Sequence, residues 1–189
     1  MIAAARWLSI IGHPFVTSGV LVSSVAMRLK ATSSDAVENA LLVAATTAVP
    51  LLFLMIRQVR RGSWDNVDAS NPDERPILFV VGIAGLALLT AFLLYRQPGS
   101  FLIRGAIGVA AMLALAALVI RWIKVSLHMA FCALGASILL LLRSPTAWAL
   151  LLLLPLLAWS RLALGRHTRT EIAAGTVLGL VFGLAIFGL

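Results

Sequence analysis

Seven long apolar runs, each ended by a short cluster of charges, glycines or prolines, divide this chain and decide what it can fold into. A helix needs about 20 consecutive apolar residues to cross the hydrocarbon of a bilayer. The runs lie at about 7–27, 36–56, 76–95 and 101–120, then from the 121–128 segment to about 142, and at about 146–159 and 172–189. Backbone at membrane depth must pair its polar groups internally, and none of the runs alternates as a lipid-facing barrel strand does. The expected fold is therefore all-α: a polytopic membrane helical bundle of about seven transmembrane helices, or six if the short segment 145–159 is not a full span. With 61% hydrophobic and 12% charged residues and a mean hydropathy of +1.04, the chain has no room for a soluble domain, and one integral-membrane domain over 1–189 is expected.

A net charge of +8 would suggest nucleic acid in a soluble protein. Here the basic residues are dispersed over loop ends, where they meet anionic headgroups or phosphate, so no nucleic-acid partner is expected. Cys132 stands alone in an apolar run and reads as a packing residue. His13-Pro14 interrupts the first run near its start, setting a kink or the true helix beginning. His13 itself reads as a polar anchor near the interface.

Polar chemistry collects in three places. The stretch from Ser160 to Glu171 carries a hydroxyl, the guanidiniums of Arg161, Arg166 and Arg169, the imidazole of His167 and a carboxylate; a His-to-Glu spacing of four puts the last two on one face if a helix begins there. The stretch from Arg121 to His128 adds Lys124, Ser126 and His128. The longest polar stretch, 57–75, holds Asp65 and Asp68 and closes on Arg75-Pro76, where the proline suits the first turn of a helix. Taken as basic loop ends, these clusters would only anchor helices at the interface. Yet they follow the second, fourth and sixth runs, so with seven spans all three face one side of the membrane. Two histidines, several arginines, a serine and a carboxylate converging there would make a phosphate pocket with acid–base groups. Gly175, Gly179 and Gly183 recur every four residues along the last run, a small-residue stripe for close packing within the chain or, as the weaker alternative, for a homodimer.

In that order the clusters resemble the three motifs of the type 2 phosphatidic acid phosphatase superfamily, membrane lipid-phosphate phosphatases related to the vanadate haloperoxidases. The third motif, SRxxxxxHxxxD, is matched by Ser160-Arg161, His167 and Glu171, with glutamate for aspartate. The second, PSGH, corresponds to Val125-Ser126-Leu127-His128, which keeps the serine and histidine. The first, KxxxxxxRP, corresponds to Asp68 and Arg75-Pro76, with aspartate for lysine. The resemblance covers about 68–189, and the run from Ile77 to Ile120 separates its first two motifs as a helical hairpin.

The resemblance implies a metal-independent membrane phosphatase without cofactor, hydrolysing a lipid phosphate monoester or a polyprenyl phosphate or diphosphate. His167 would be the nucleophile that becomes phosphohistidine, Glu171 its orienting carboxylate and His128 the general acid. Arg75, Arg161 and Ser126 would hold the phosphate, and Lys124 could supply the cation missing at Asp68. Two other readings stay open: a catalytically inactive lipid-phosphate binding or transport protein, and a Mg-dependent prenyl-transfer enzyme using Asp65 and Asp68. The expected setting is a bacterial or archaeal cytoplasmic membrane. Of the 15 basic residues, Arg28, Lys30, Arg96, Arg104 and Arg143 fall on one side and all the others on the side of the three clusters, which favours a site on the cytoplasmic face.

Overall fold

The computed structural model describes residues 1–29, 32–64 and 71–187. It is helical, with no strand among the described residues, and divides into two compact units, one of Met1–Ala40 with Ile123–Leu189 and one of Leu41–Trp122.

The first unit holds α1 (Ile2–Ile11), α2 (Pro14–Arg28), α7 (Leu127–Leu141), α8 (Thr146–Ala163) and α9 (Arg169–Phe187), and is built around α7. α7 is buried along most of its length because α2, α8 and α9 all pack on it. Its residues facing them are small, Ala130, Cys132, Ala133 and Ala136 among them, so backbones approach closely. The glycine stripe of α9 is the counterpart. A Cβ on Gly175 would meet the Ser126 carbonyl, one on Gly179 the Ala130 carbonyl and one on Gly183 the Ser137 hydroxyl. Those contacts rise together along both helices, so α7 and α9 run parallel. α2 is parallel to α7 as well, with His13 beside His128 at one end and Arg28 Nε donating to the Leu142 carbonyl at 3.0 Å at the other. The stripe thus lies against α7 of the same chain. That face is taken, and the expected alternative of a homodimer through Gly175, Gly179 and Gly183 loses its surface.

The second unit holds the rest of α3 (Ser33–Val43), a π-helical turn at Ala44–Ala48, α4 (Val49–Arg60), α5 (Arg75–Arg96) and α6 (Phe101–Val119). Pro50 has no N–H for the carbonyl one turn back and its ring crowds it, and the widened turn relieves both. The hydroxyls of Thr46 and Thr47 bond the carbonyls of Leu42 (2.8 Å) and Val43 (2.6 Å). Gly85 of α5 then seats directly against the Thr46 carbonyl.

Among the described residues, five helical stretches are long and apolar enough to cross a membrane: Ser34–Arg60, Arg75–Arg96, Phe101–Val119, Thr146–Ala163 and Arg169–Phe187. Ile2–Ile11 and Pro14–Arg28, bent by 42°, make a sixth if they count as one span. The protein is an integral-membrane helical bundle, with Leu152, Val80, Leu88 and Val181 among its exposed apolar residues. The sequence-based expectation differs in which segment is short. α8 does not stop at Trp159 but runs 18 residues through Ser160 and Arg161 to Ala163, long enough to span; α7, with 15, is the short one at about 22 Å. Buried by its neighbours on nearly all sides, α7 needs no full-length lipid-facing surface.

Because α5 alone separates them, Ser63 and Gln97 are expected on opposite faces of the membrane. Single cysteines placed at the two positions should react with an impermeant maleimide from opposite sides of sealed vesicles, native Cys132 being buried. Labelling of both from one side would remove α5 as a span.

Candidate functional site

The spacing between Arg161 and His167 has a local cause. α8 ends in a Schellman turn: the N–H of Arg166 bonds the Arg161 carbonyl, that of Gly165 bonds the Leu162 carbonyl, both at 3.0 Å, and Gly165 takes the left-handed conformation (φ 63°) such a turn needs. Arg161 is thereby left in the last turn of α8, where the negative end of the helix dipole favours a cation. α9 opens two residues beyond His167, later than a helix beginning at the histidine would, through a reciprocal cap. Glu171 Oε2 accepts from the Thr168 N–H at 3.1 Å while the Thr168 hydroxyl accepts from the Glu171 N–H at 3.3 Å. The pattern Thr168-x-x-Glu171 is a capping box, a signal present in the sequence but overlooked there. It accounts for glutamate at this position: the side chain must reach back one turn to the cap, and the same Oε2 meets His167 Nδ1 at 2.9 Å. With Nδ1–H donated to the carboxylate, the reactive lone pair is that of Nε2.

α7 begins beside this pair. The Ser126 N–H donates to the Glu171 carbonyl at 3.2 Å, and Lys124 Nζ donates to the Arg166 carbonyl at 3.0 Å. Lys124 therefore pins the α8–α9 loop, a use the sequence did not suggest. Ser126 is the N-cap residue of α7 yet its hydroxyl makes no capping bond; fully buried, Oγ has no hydrogen-bond partner among the described residues. His128 is buried one residue into α7. Since α2, α7 and α9 are parallel, three helix N-termini open at this end, each carrying about half a positive charge.

The first span also enters the site. Ser160 Oγ donates to the Ala5 carbonyl at 2.6 Å, and Arg161, only 1% exposed, donates from Nη1 to Ser9 Oγ. The ring of His13 stands 5.2 Å from that of His128, edge to face at 84°. A polar anchor at the interface was the expectation for His13; it is a neighbour of the candidate acid instead. No local pattern could have revealed Ser9 or His13, whose partners lie more than a hundred residues away.

The structure brings Lys124, Ser126, His128, Arg161, His167 and Glu171 into one unit, at the ends of α7, α8 and α9. Arg75 is buried and opens α5 in the other unit, directly after the short 3₁₀ turn Pro72–Glu74. Asp65 and Asp68 lie outside the described residues, as does Lys30. Among the described residues no group of three or more His, Cys, Asp or Glu side chains is placed to hold a metal ion. No family model, curated protein or solved structure matches the chain.

Proposed function

We propose that the protein is a membrane phosphatase that hydrolyses a lipid phosphate monoester, or a polyprenyl phosphate or diphosphate, through a phosphohistidine at His167. The observation that carries this reading is the His167 Nδ1–Glu171 Oε2 bond at 2.9 Å, held by a helix cap at an end where three helix N-termini meet and Arg161 is buried. A carboxylate on Nδ1 orients the ring and supports positive charge as Nε2 attacks, and N-termini with a guanidinium favour the dianionic group being attacked. The resemblance to the type 2 phosphatidic acid phosphatases assigns the same residues the same parts.

Nε2 of His167 forms a bond to phosphorus as the bond from phosphorus to the lipid oxygen breaks. His128 gives a proton to that departing alkoxide, which leaves as the neutral alcohol. Arg161 and Ser126 bind the non-bridging oxygens. Water, giving its proton back to His128, then attacks phosphorus and breaks the P–N bond, releasing phosphate and restoring both histidines. The charge on the phosphate is met by guanidinium and helix ends, so activity should persist in EDTA. The balance of basic residues supports a site on the cytoplasmic face, and the setting proposed is a bacterial or archaeal cytoplasmic membrane.

Phosphate release from dioleoyl phosphatidic acid by the purified protein in EDTA tests this. Glu171→Gln keeps a side chain that can still cap α9, so it should fold normally and retain its KM while turnover drops about a hundredfold or more. Asp68→Ala should change little. Turnover that needs magnesium and fails in Asp65→Ala and Asp68→Ala would favour the prenyl-transfer alternative; tight binding of lipid phosphate without release would favour the binding protein.

A further inference from the structure

The first span is broken rather than smoothly bent, and its two halves go to different partners. α1 packs on α8 and α2 on α7, with a bend of 42° at Gly12-His13. In an unbroken helix Ser9 and His13, four apart, would share a face and address one neighbour. The break lets Ser9 reach Arg161 on α8 while His13 reaches His128 on α7. Sequence and packing both mark the break: a Cβ on Gly12 would meet the Leu157 side chain, and Pro14 supplies the first turn of α2.

His13 is held by its own helix. As N-cap of α2 its Nδ1 accepts from the Phe15 N–H at 3.3 Å, which leaves the proton of the neutral ring on Nε2 and fixes the ring's direction. The edge-to-face contact passes that direction on to His128. At Arg161, occupation of Nη1 by Ser9 sets where the other donors of the planar fork point.

We infer that the broken first span is a brace whose two polar residues are positioning residues for the site: His13 sets the ring plane of His128, and Ser9 sets the guanidinium of Arg161. The inference takes the parts played by His128 and Arg161 from the phosphatase reading, but the contacts stand without it.

The test uses the full chain in nanodiscs. His13→Ala should lower kcat on dioleoyl phosphatidic acid about tenfold or more at unchanged KM, because a misaligned acid is a loss in the transition state. On p-nitrophenyl phosphate, whose leaving group needs no proton, the same variant should lose much less. His13→Phe, which keeps a flat ring against His128, should restore most of the lost rate on the lipid. Ser9→Ala should raise KM about tenfold on both substrates, with recovery in Ser9→Thr. A uniform fall on both substrates, tracking a lower thermal midpoint and unrelieved by the conservative variants, would reduce the span to a scaffold and overturn the inference. The ¹⁵N resonances of the His128 ring, assigned through His128→Gln, report without turnover: they should shift in His13→Ala and return in His13→Phe. Unmoved resonances overturn the brace whatever the activity. A wild-type protein that cleaves no phosphate ester but shows the ring shifts would sink the phosphatase reading and leave the brace intact.

Discussion

His128→Ala is expected to lose about 10²- to 10⁴-fold in turnover on phosphatidic acid and to recover most of that loss on p-nitrophenyl phosphate. A lipid alkoxide cannot leave without a proton, whereas a nitrophenolate can, so only the first substrate depends on the acid. His167→Ala has no such escape. Its turnover should fall at least about a thousandfold on both substrates, and no acid-labile phosphoenzyme should be trapped after rapid quench with radiolabelled substrate. His128 sits in the first turn of α7 and His167 in the loop ahead of α9, so His128 can be removed without cutting the Thr168–Glu171 cap beside His167. A well-folded His167→Ala that keeps a tenth of wild-type turnover on either substrate would exclude the covalent route.

Gly179→Ala is expected to destabilise the protein by about 1–3 kcal/mol, the usual cost of forcing a methyl group into a packed interior. The added Cβ meets the main chain of α7, at the Ala130 carbonyl and the Leu134 nitrogen, and neither can swing aside as a side chain could. Gly19→Ala, on α2, has nothing within reach of its new methyl and should be neutral or gain up to about 1 kcal/mol from helix propensity. The thermal midpoint in one detergent should therefore fall in Gly179→Ala and hold or rise in Gly19→Ala. Gly179→Ala should also lose activity beyond its loss of folded protein, because the same stripe holds Glu171 beside Ser126. Equal midpoints would mean that α7 and α9 do not depend on their close approach.

Much of the fold could be read from hydropathy, since lipid as a solvent leaves an apolar run of twenty residues little choice but a helix. The His167–Glu171 pair was legible because its partners are four residues apart. The glycine stripe was legible as a packing face, though its occupant, α7, was not. Lengths near the interface were misjudged for a physical reason: Ser160 and Arg161 look like loop residues, yet Ala5 and Ser9 accept their hydrogen bonds and so let α8 continue past them. Conversely, α7 is shorter than an isolated span because packing on several sides takes the place of lipid. Ser9 and His13 were invisible as site residues, one reading as a filler hydroxyl and the other as an anchor, since their importance lies only in contacts across the chain.

Those contacts set an order of events during synthesis. Ser9 is 152 residues from Arg161, so the first span enters the bilayer well before the helix that will receive it. At about 5–20 residues per second the interval is on the order of ten seconds. Throughout it α1 and α2 must persist with Ser9, His13 and an exposed helix break lacking their native partners, while the whole of the α3–α6 region is inserted between them and their destination. α7, α8 and α9 then arrive in succession, so α2 and α1 wait for the last third of the chain before they can dock. A chain cut short before Glu171 would carry α1 to α8 and still lack the capped His167–Glu171 pair.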